Sequence, residues 1–159
     1  MNRRSAVKVI AASIVGFSAS AGPVRSASPE GDGVVSVRSA YGFDETIERL
    51  KADIARKKIM LFDVIDQARL ASGAGIKLWP STLIVFGNPP LGVQFLTSNP
   101  TAGLDWPVRL LVTEDAQGQV LVMYTDFACI ARRHGIENRG AQFKMASDVV
   151  ASIAASVAS

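Results

Sequence analysis

A chain of 159 residues with 48% hydrophobic and 19% charged content suits one compact domain with a real core. Its formal net charge of +3 is concentrated at the start: residues 1–21 carry three basic side chains and no acidic one, leaving 14 basic against 14 acidic beyond them. A near-neutral body argues against nucleic acid or an anionic membrane surface as partner, because such binding draws on a surplus of cations that displaces counterions.

Arg3, Arg4 and Lys8 precede the apolar run Val9 to Phe17, and Ala19-Ser20-Ala21 offers small residues at the spacing a signal peptidase accepts. Residues 1–21 therefore read as a cleaved export signal and the mature chain as periplasmic or secreted. The apolar run is short of the roughly 20 residues that cross a bilayer, so no integral membrane segment is expected after cleavage. Arg3-Arg4 also suits the twin-arginine route, although Ala6 stands where that signal usually has a large apolar residue. Residues 22–33, rich in Gly, Pro, Ser and Ala, read as a flexible tether. A single domain then occupies 34–159.

Val34 to Tyr41 is β-branched with partial alternation and predicts a first strand, ended by Gly42. An amphipathic helix is expected from Asp44 to Lys57, with Asp44 as its cap and Ile47, Leu50 and Ile54 on one face. Ile59 to Ile65 predicts a second strand and Asp66-Gln67 a short helical stretch toward Ala71. Asp63 and Asp66 suit turn or capping roles better than a metal or acid/base pair, since no third ligand has suitable spacing. Thr82 to Phe86 predicts a buried central strand with a rigid exit at Gly87-Asn88-Pro89-Pro90. Pro89-Pro90 can start a helix that turns Leu91, Phe95 and Leu96 inward until Asn99-Pro100 stops it.

Thr101 to Pro107 reads as a linker in which Trp106 anchors to the core and Asp105 is a candidate polar group for a pocket. Val108–Thr113 and Val120–Thr125 form a hairpin across the turn 114–119. Arg109 reads as solvent-facing; the alternative is that Arg109 and Tyr124 meet other polar groups at one end of the sheet. Phe127 to Arg133 predicts a short helix with Gly135 as its C-terminal cap and His134 as part of its cationic end. His134 is the only histidine, which excludes a multi-histidine metal site, yet it is the one side chain with an ordinary titration range suited to proton transfer near neutrality. Cys129 is the only cysteine, so no intramolecular disulfide forms; it reads as a buried small hydrophobe, with a reactive or intermolecular thiol as the alternative. Residues 142 to 157 close the chain as an alanine-rich helix.

Val64-Ile65-Asp66, Leu83 to Pro89, Leu104-Asp105-Trp106-Pro107, Glu114-Asp115 with Gly118, Tyr124 and Ala131 to Gly135 stand in an order and spacing that resemble the bacterial family called domain of unknown function 302. The likeness runs from Val34 to Val157. It implies a single α+β domain, two layers with helices packed on an antiparallel sheet, similar in topology to half of the TATA-binding protein, often homodimeric and without an established activity. DNA binding does not follow from such a topology. Gln67 stands where many members carry histidine, and Gly92 to Leu96 differs from their usual Gly-Thr-Pro-Leu-Met. If that histidine is a haem or metal ligand in the relatives, this chain lacks the ligand.

No nucleophile motif, metal cluster or phosphate loop is evident, so no resident cofactor is expected. The leading expectation is a periplasmic binding or interaction module, a homodimer with a pocket for an unidentified small ligand or a contact for a protein partner. Candidate pocket residues are Asp66, Gln67, Asn88, Asp105, Arg109, Tyr124 and His134. The alternatives are a small hydrolase-like enzyme with His134 as general base, oriented by Asp66 or Asp105, and a redox or haem-linked accessory protein.

Overall fold

The computed structural model describes residues 33–159; the expected signal at 1–21 and nearly all of the expected tether lie outside the described residues. Five strands alternate with helices: β1 (Val34–Arg38), α1 (Phe43–Arg56), β2 (Met60–Asp66), α2 (Gln67–Gly73), β3 (Ser81–Gly87), α3 (Pro89–Ser98), a 3-10 turn (Pro100–Leu104), β4 (Val108–Glu114), β5 (Val120–Thr125), α4 (Phe127–Arg133) and α5 (Gly140–Ala155). The strands form one antiparallel sheet in the order β1-β5-β4-β3-β2. The architecture is α+β in two layers, as the family resemblance implies. The centre of the sheet is β4 rather than the Thr82–Phe86 strand, which lies one place from the edge.

Alternation decides which face is covered, because successive side chains of a strand point to opposite sides. Ile84 and Phe86 of β3, Leu110 and Val112 of β4, and Val120, Val122 and Tyr124 of β5 are buried on one face. Four helices meet that face. Ile47, Leu50 and Ile54 project from α1, Phe95 from α3, Phe127 and Ile130 from α4, and Phe143, Ala146, Val150 and Ile153 from α5. Phe95 stacks on Phe143 with ring centres 4.3 Å apart, and Phe127 closes the aromatic group at 6.5 and 6.3 Å from the two. The register aligns Ile65, Leu83, Leu111 and Met123 in a row on the opposite face, where all four are half-buried.

Local chemistry sets the element ends. Gly42, not Asp44, is the N-cap of α1; Asp44 lies inside the first turn, where a carboxylate opposes the helix dipole. Asp66 caps α2 by accepting from the Arg69 N–H at 2.8 Å, and Asp126 caps α4 by accepting from the Ala128 N–H at 3.1 Å. The stretch expected to be a linker after α3 instead winds into the 3-10 turn, whose N-cap is Asn99. Asp53 is buried on α1 and held by Arg56 and Lys57. Burial pushes its carboxyl up, but those two cations outweigh it and hold the group below the usual carboxylate range.

Candidate functional site

Side chains from four segments converge where β3 ends and β4 begins. The 3-10 turn contributes Thr101, the chain leaving it Asp105, the start of β4 Arg109, and the end of α4 Arg133 and His134. Asp105 Oδ1 accepts from Arg109 Nη2 at 3.1 Å and from Arg133 Nη1 at 3.0 Å. Its Oδ2 accepts from Arg133 Nη1 at 2.9 Å and lies 2.8 Å from His134 Nε2. A carboxylate offers about four lone-pair sites, so Asp105 is saturated. Its side chain is 6% exposed and that of His134 5%, whereas Arg109 and Arg133 are 46% and 51% exposed.

Burial raises the Asp105 carboxyl; hydrogen bonds from His134 and Arg133 and the charges of Arg133 and Arg109 outweigh it, leaving the group below the usual carboxylate range. An ionised Asp105 can only accept, so His134 presents Nε2–H to it. The other ring nitrogen, Nδ1, is 2.8 Å from Thr101 Oγ1. That hydroxyl also lies 2.9 Å from Asn99 Oδ1, while Asn99 Nδ2 donates to the His134 carbonyl at 2.8 Å. The single hydroxyl proton of Thr101 has two destinations. Given to Nδ1, it leaves a neutral imidazole; given to Asn99, it makes Thr101 an acceptor for a doubly protonated ring.

Beside the cluster is a shallow cavity of about 20 Å³, room for about one water, lined by Asp105, Val108, Arg109, Thr125, Phe127 and Ile130. Trp106 follows Asp105 through a cis bond to Pro107 and lies edge-on to Phe62, with ring centres 5.9 Å apart.

Of the sequence candidates, Asp105, Arg109 and His134 meet. Arg109 does not simply face solvent: its guanidinium also donates to the Leu104 carbonyl at 3.0 Å. His134 ends α4 as its C-cap, as its place in the sequence predicts, and is buried there. Asp66 and Gln67 sit at the opposite end of the sheet, because Asp66 pairs with Thr82 while the cluster adjoins the Phe86–Val108 pair. Asp66 is occupied as a cap, and Gln67 Oε1 accepts from Ser81 Oγ at 2.7 Å. Hence Asp66 cannot orient His134. Asn88 heads α3 with no side-chain cap bond, and Tyr124 is buried on the helix-covered face. Among the described residues, no group of three or more His, Cys, Asp or Glu is placed to hold a metal.

Thr101, Asn99 and Arg133 escaped the sequence reading. Asn99-Pro100 is a turn signal whose carboxamide could have been read as a cap, and His134 continues the buried spacing of Phe127 and Ile130 along α4. Arg133 left no local signal, since its partner is 28 residues away.

The sheet, its single helical layer and the ion cluster at one end define a small two-layer α+β domain with a buried polar centre. The chain belongs to the family described as Domain of unknown function DUF302, which matches residues 35–158. The crystal structure of an uncharacterized conserved DUF302 protein from Bacillus stearothermophilus shares the fold at a TM-score of 0.65 and 20% identity, covering 80% of this chain and 97% of that one. The chain is also 38% identical over 104 residues to a protein named fluoride-specific ion channel FluC 1 from Brucella suis biovar 1 (strain 1330), and equally to a FluC 1 from Brucella abortus biovar 1 (strain 9-941). The match takes in 65% of this chain but only 41% and 38% of those proteins, so the chain spans about two fifths of the curated relatives it matches. No described helix is long and apolar enough to cross a membrane.

Proposed function

We propose that the mature chain is a periplasmic interaction module that works as a homodimer through the surface built by β2, α2 and the segment after them. One observation carries this reading. Of the twelve exposed large hydrophobics among the described residues, eight fall between positions 60 and 79: Met60, Leu61, Phe62, Val64, Leu70, Ile76, Leu78 and Trp79. α2 buries none of its residues. Leu61 and Val64 pair with Phe86 and Ile84 of the helix-covered face; the others, exposing on the order of 100 Å² each, supply most of the roughly 800 Å² per partner of a standard interface. Among the described residues β2 is also an edge strand, whose outer side has no neighbouring strand. A stretch matching this domain forms about two fifths of proteins named as channels, which fits a module that works attached to or beside a larger partner. The export reading rests on Arg3, Arg4, Lys8, the apolar run and Ala19-Ser20-Ala21.

Native mass spectrometry of the protein from a periplasmic fraction should give a dimer of chains beginning near Gly22. The double variant Leu70→Asp with Ile76→Asp, at two sites 61% and 62% exposed, should fold and weaken dimerisation by at least about 100-fold. A monomeric wild type, or a variant as dimeric as wild type, refutes the dimer; an uncleaved chain refutes export.

A hydrolase-like activity is favoured as a second reading by one distance, the 2.8 Å between Thr101 Oγ1 and His134 Nδ1. Asp105 would orient the imidazole, which would act as general base toward the Thr101 hydroxyl. On this reading p-nitrophenyl acetate should acylate Thr101, seen as a 42 Da adduct, about the mass of one acetyl group, and lost in Thr101→Val. An adduct absent from the wild type, or retained in that variant, rules the activity out.

A further inference from the structure

We infer that Arg109 and Arg133 form a binding site for a small aliphatic carboxylate. The argument begins with what Asp105 cannot do. Its oxygens already accept from Arg109, Arg133 and His134, so it has no capacity left to ligate a cation. The two guanidiniums are less fully used. Arg109 engages only Nη2 and Arg133 only Nη1, leaving Nε and the other terminal nitrogen of each as donors. Both side chains are about half exposed.

Geometry and charge select the ligand. Because both engaged nitrogens lie near 3 Å from the same Oδ1, they are no more than about 6 Å apart. Two positive charges against one carboxylate leave an excess of one among these three groups, and a second anion held by the unengaged nitrogens relieves it. A planar carboxylate matches the fork of a guanidinium bidentately. The shallow cavity adjoining Arg109 has Asp105 and Thr125 on its polar side and Val108, Phe127 and Ile130 on its apolar side, and that apolar side takes a group of about methyl size. A charged head on the arginines and a short alkyl tail toward Phe127 satisfy both halves of the site. This rests on reading the domain as a binding module, though not on its dimer surface.

The test is a titration of the mature protein with sodium propionate, followed by ¹H–¹⁵N spectra against sodium chloride at equal ionic strength. Saturable shifts are expected at the Nε–Hε groups of Arg109 and Arg133 and at the amides of Phe127 and Ile130. Propionate should bind about fourfold more tightly than acetate, the value of one buried methylene. Arg133→Lys keeps a charge near Asp105 but loses the fork, and should weaken binding at least about fivefold. Arg109→Lys should do the same and, with one bond to the carboxylate, serves if the first variant does not fold. Shifts reproduced by chloride, tighter binding of fluoride or phosphate than of propionate, or unchanged affinity in a folded lysine variant overturns the assignment. Native mass spectrometry of the same samples separates the two proposals: a dimer that fails to bind propionate counts against this site alone.

Discussion

Asp105→Asn should lower the stability of the fold by about 3 kcal/mol, seen as a melting temperature about 10 °C lower. The substitution preserves shape but replaces one acceptor oxygen with an NH₂ group that faces donors. Arg109 and Arg133, about half exposed, can turn to water; His134, at 5%, cannot. The remaining carboxamide oxygen can still accept from the buried imidazole N–H, so most of the cost comes from losing the charge that His134, Arg133 and Arg109 face. The effect depends on pH with a definite sign. The Asp105 carboxyl lies below its ordinary value in the folded protein, so its contribution is complete above the unfolded carboxylate value of about 4 and is lost as pH falls through the folded value. Urea unfolding from pH 7 to 3 should thus show the gap between wild type and variant closing on the acid side. Asp53, lowered in the same sense, acts in both proteins and cancels from the difference. A gap independent of pH would mean that the carboxylate charge does not hold the cluster together.

Gly92→Ala should also destabilise the fold, for a different reason. A Cβ at position 92 would lie 1.8 Å from Trp106 Nε1, 2.1 Å from Cε2 and 2.6 Å from Cδ1. These atoms belong to a rigid ring that also sits over Gly87 and against Phe62. The indole cannot yield by a rotamer change at its tip, so it must leave. Overpacking of this kind costs about 1–3 kcal/mol and sometimes more, against which alanine returns about 1 kcal/mol of helix propensity in α3. A net loss near 2 kcal/mol is expected, with a red shift in tryptophan emission, because Trp79 is already 59% exposed and only Trp106 has burial to lose. The decisive comparison is a double variant: with Trp106→Ala in place, Gly92→Ala should become neutral or stabilising. If it remains as costly, the close approach is not what requires glycine.

These two sites show what local sequence can and cannot convey. α1 was legible because Ile47, Leu50 and Ile54 repeat at helical spacing and are all buried. The β4–β5 hairpin was legible from its apolar runs, and Asp115 confirms the turn by accepting from the Gln117 and Gln119 N–H groups. The cluster was legible only in part. Asp105, Arg109 and His134 stand out as polar groups at element ends, but His134 reaches Asp105 across 29 positions, and Arg133 and Asn99 join across 28 and 35, which leave no periodic trace. Asp66 and Gln67 were grouped with them because the likeness to relatives preserves order along the chain and says nothing of strand direction. Antiparallel pairing of β2 with β3 sends them to the far end. The 3-10 turn was missed for a similar reason: Pro100, Thr101 and Gly103 read as loop formers, and what orders them is Asn99 bonded to the distant His134 carbonyl.

The first and last described residues lie at opposite ends of the sheet. Gly33 sits against Cys129, and its carbonyl accepts from the Asp126 N–H at 2.7 Å, so the chain enters the fold beside α4, on the side of Arg109 and Asp105. Ser159 donates to the Arg38 carbonyl at 3.2 Å, and Ala158 bridges Ser39, at the far end of the sheet beside the β4–β5 turn. Gly33 thus lies near the arginine pair, and Ser159 a strand's length away from it. Anchoring by the C-terminus on a sensor chip leaves the cluster open to solution, whereas anchoring through the front turns it toward the surface.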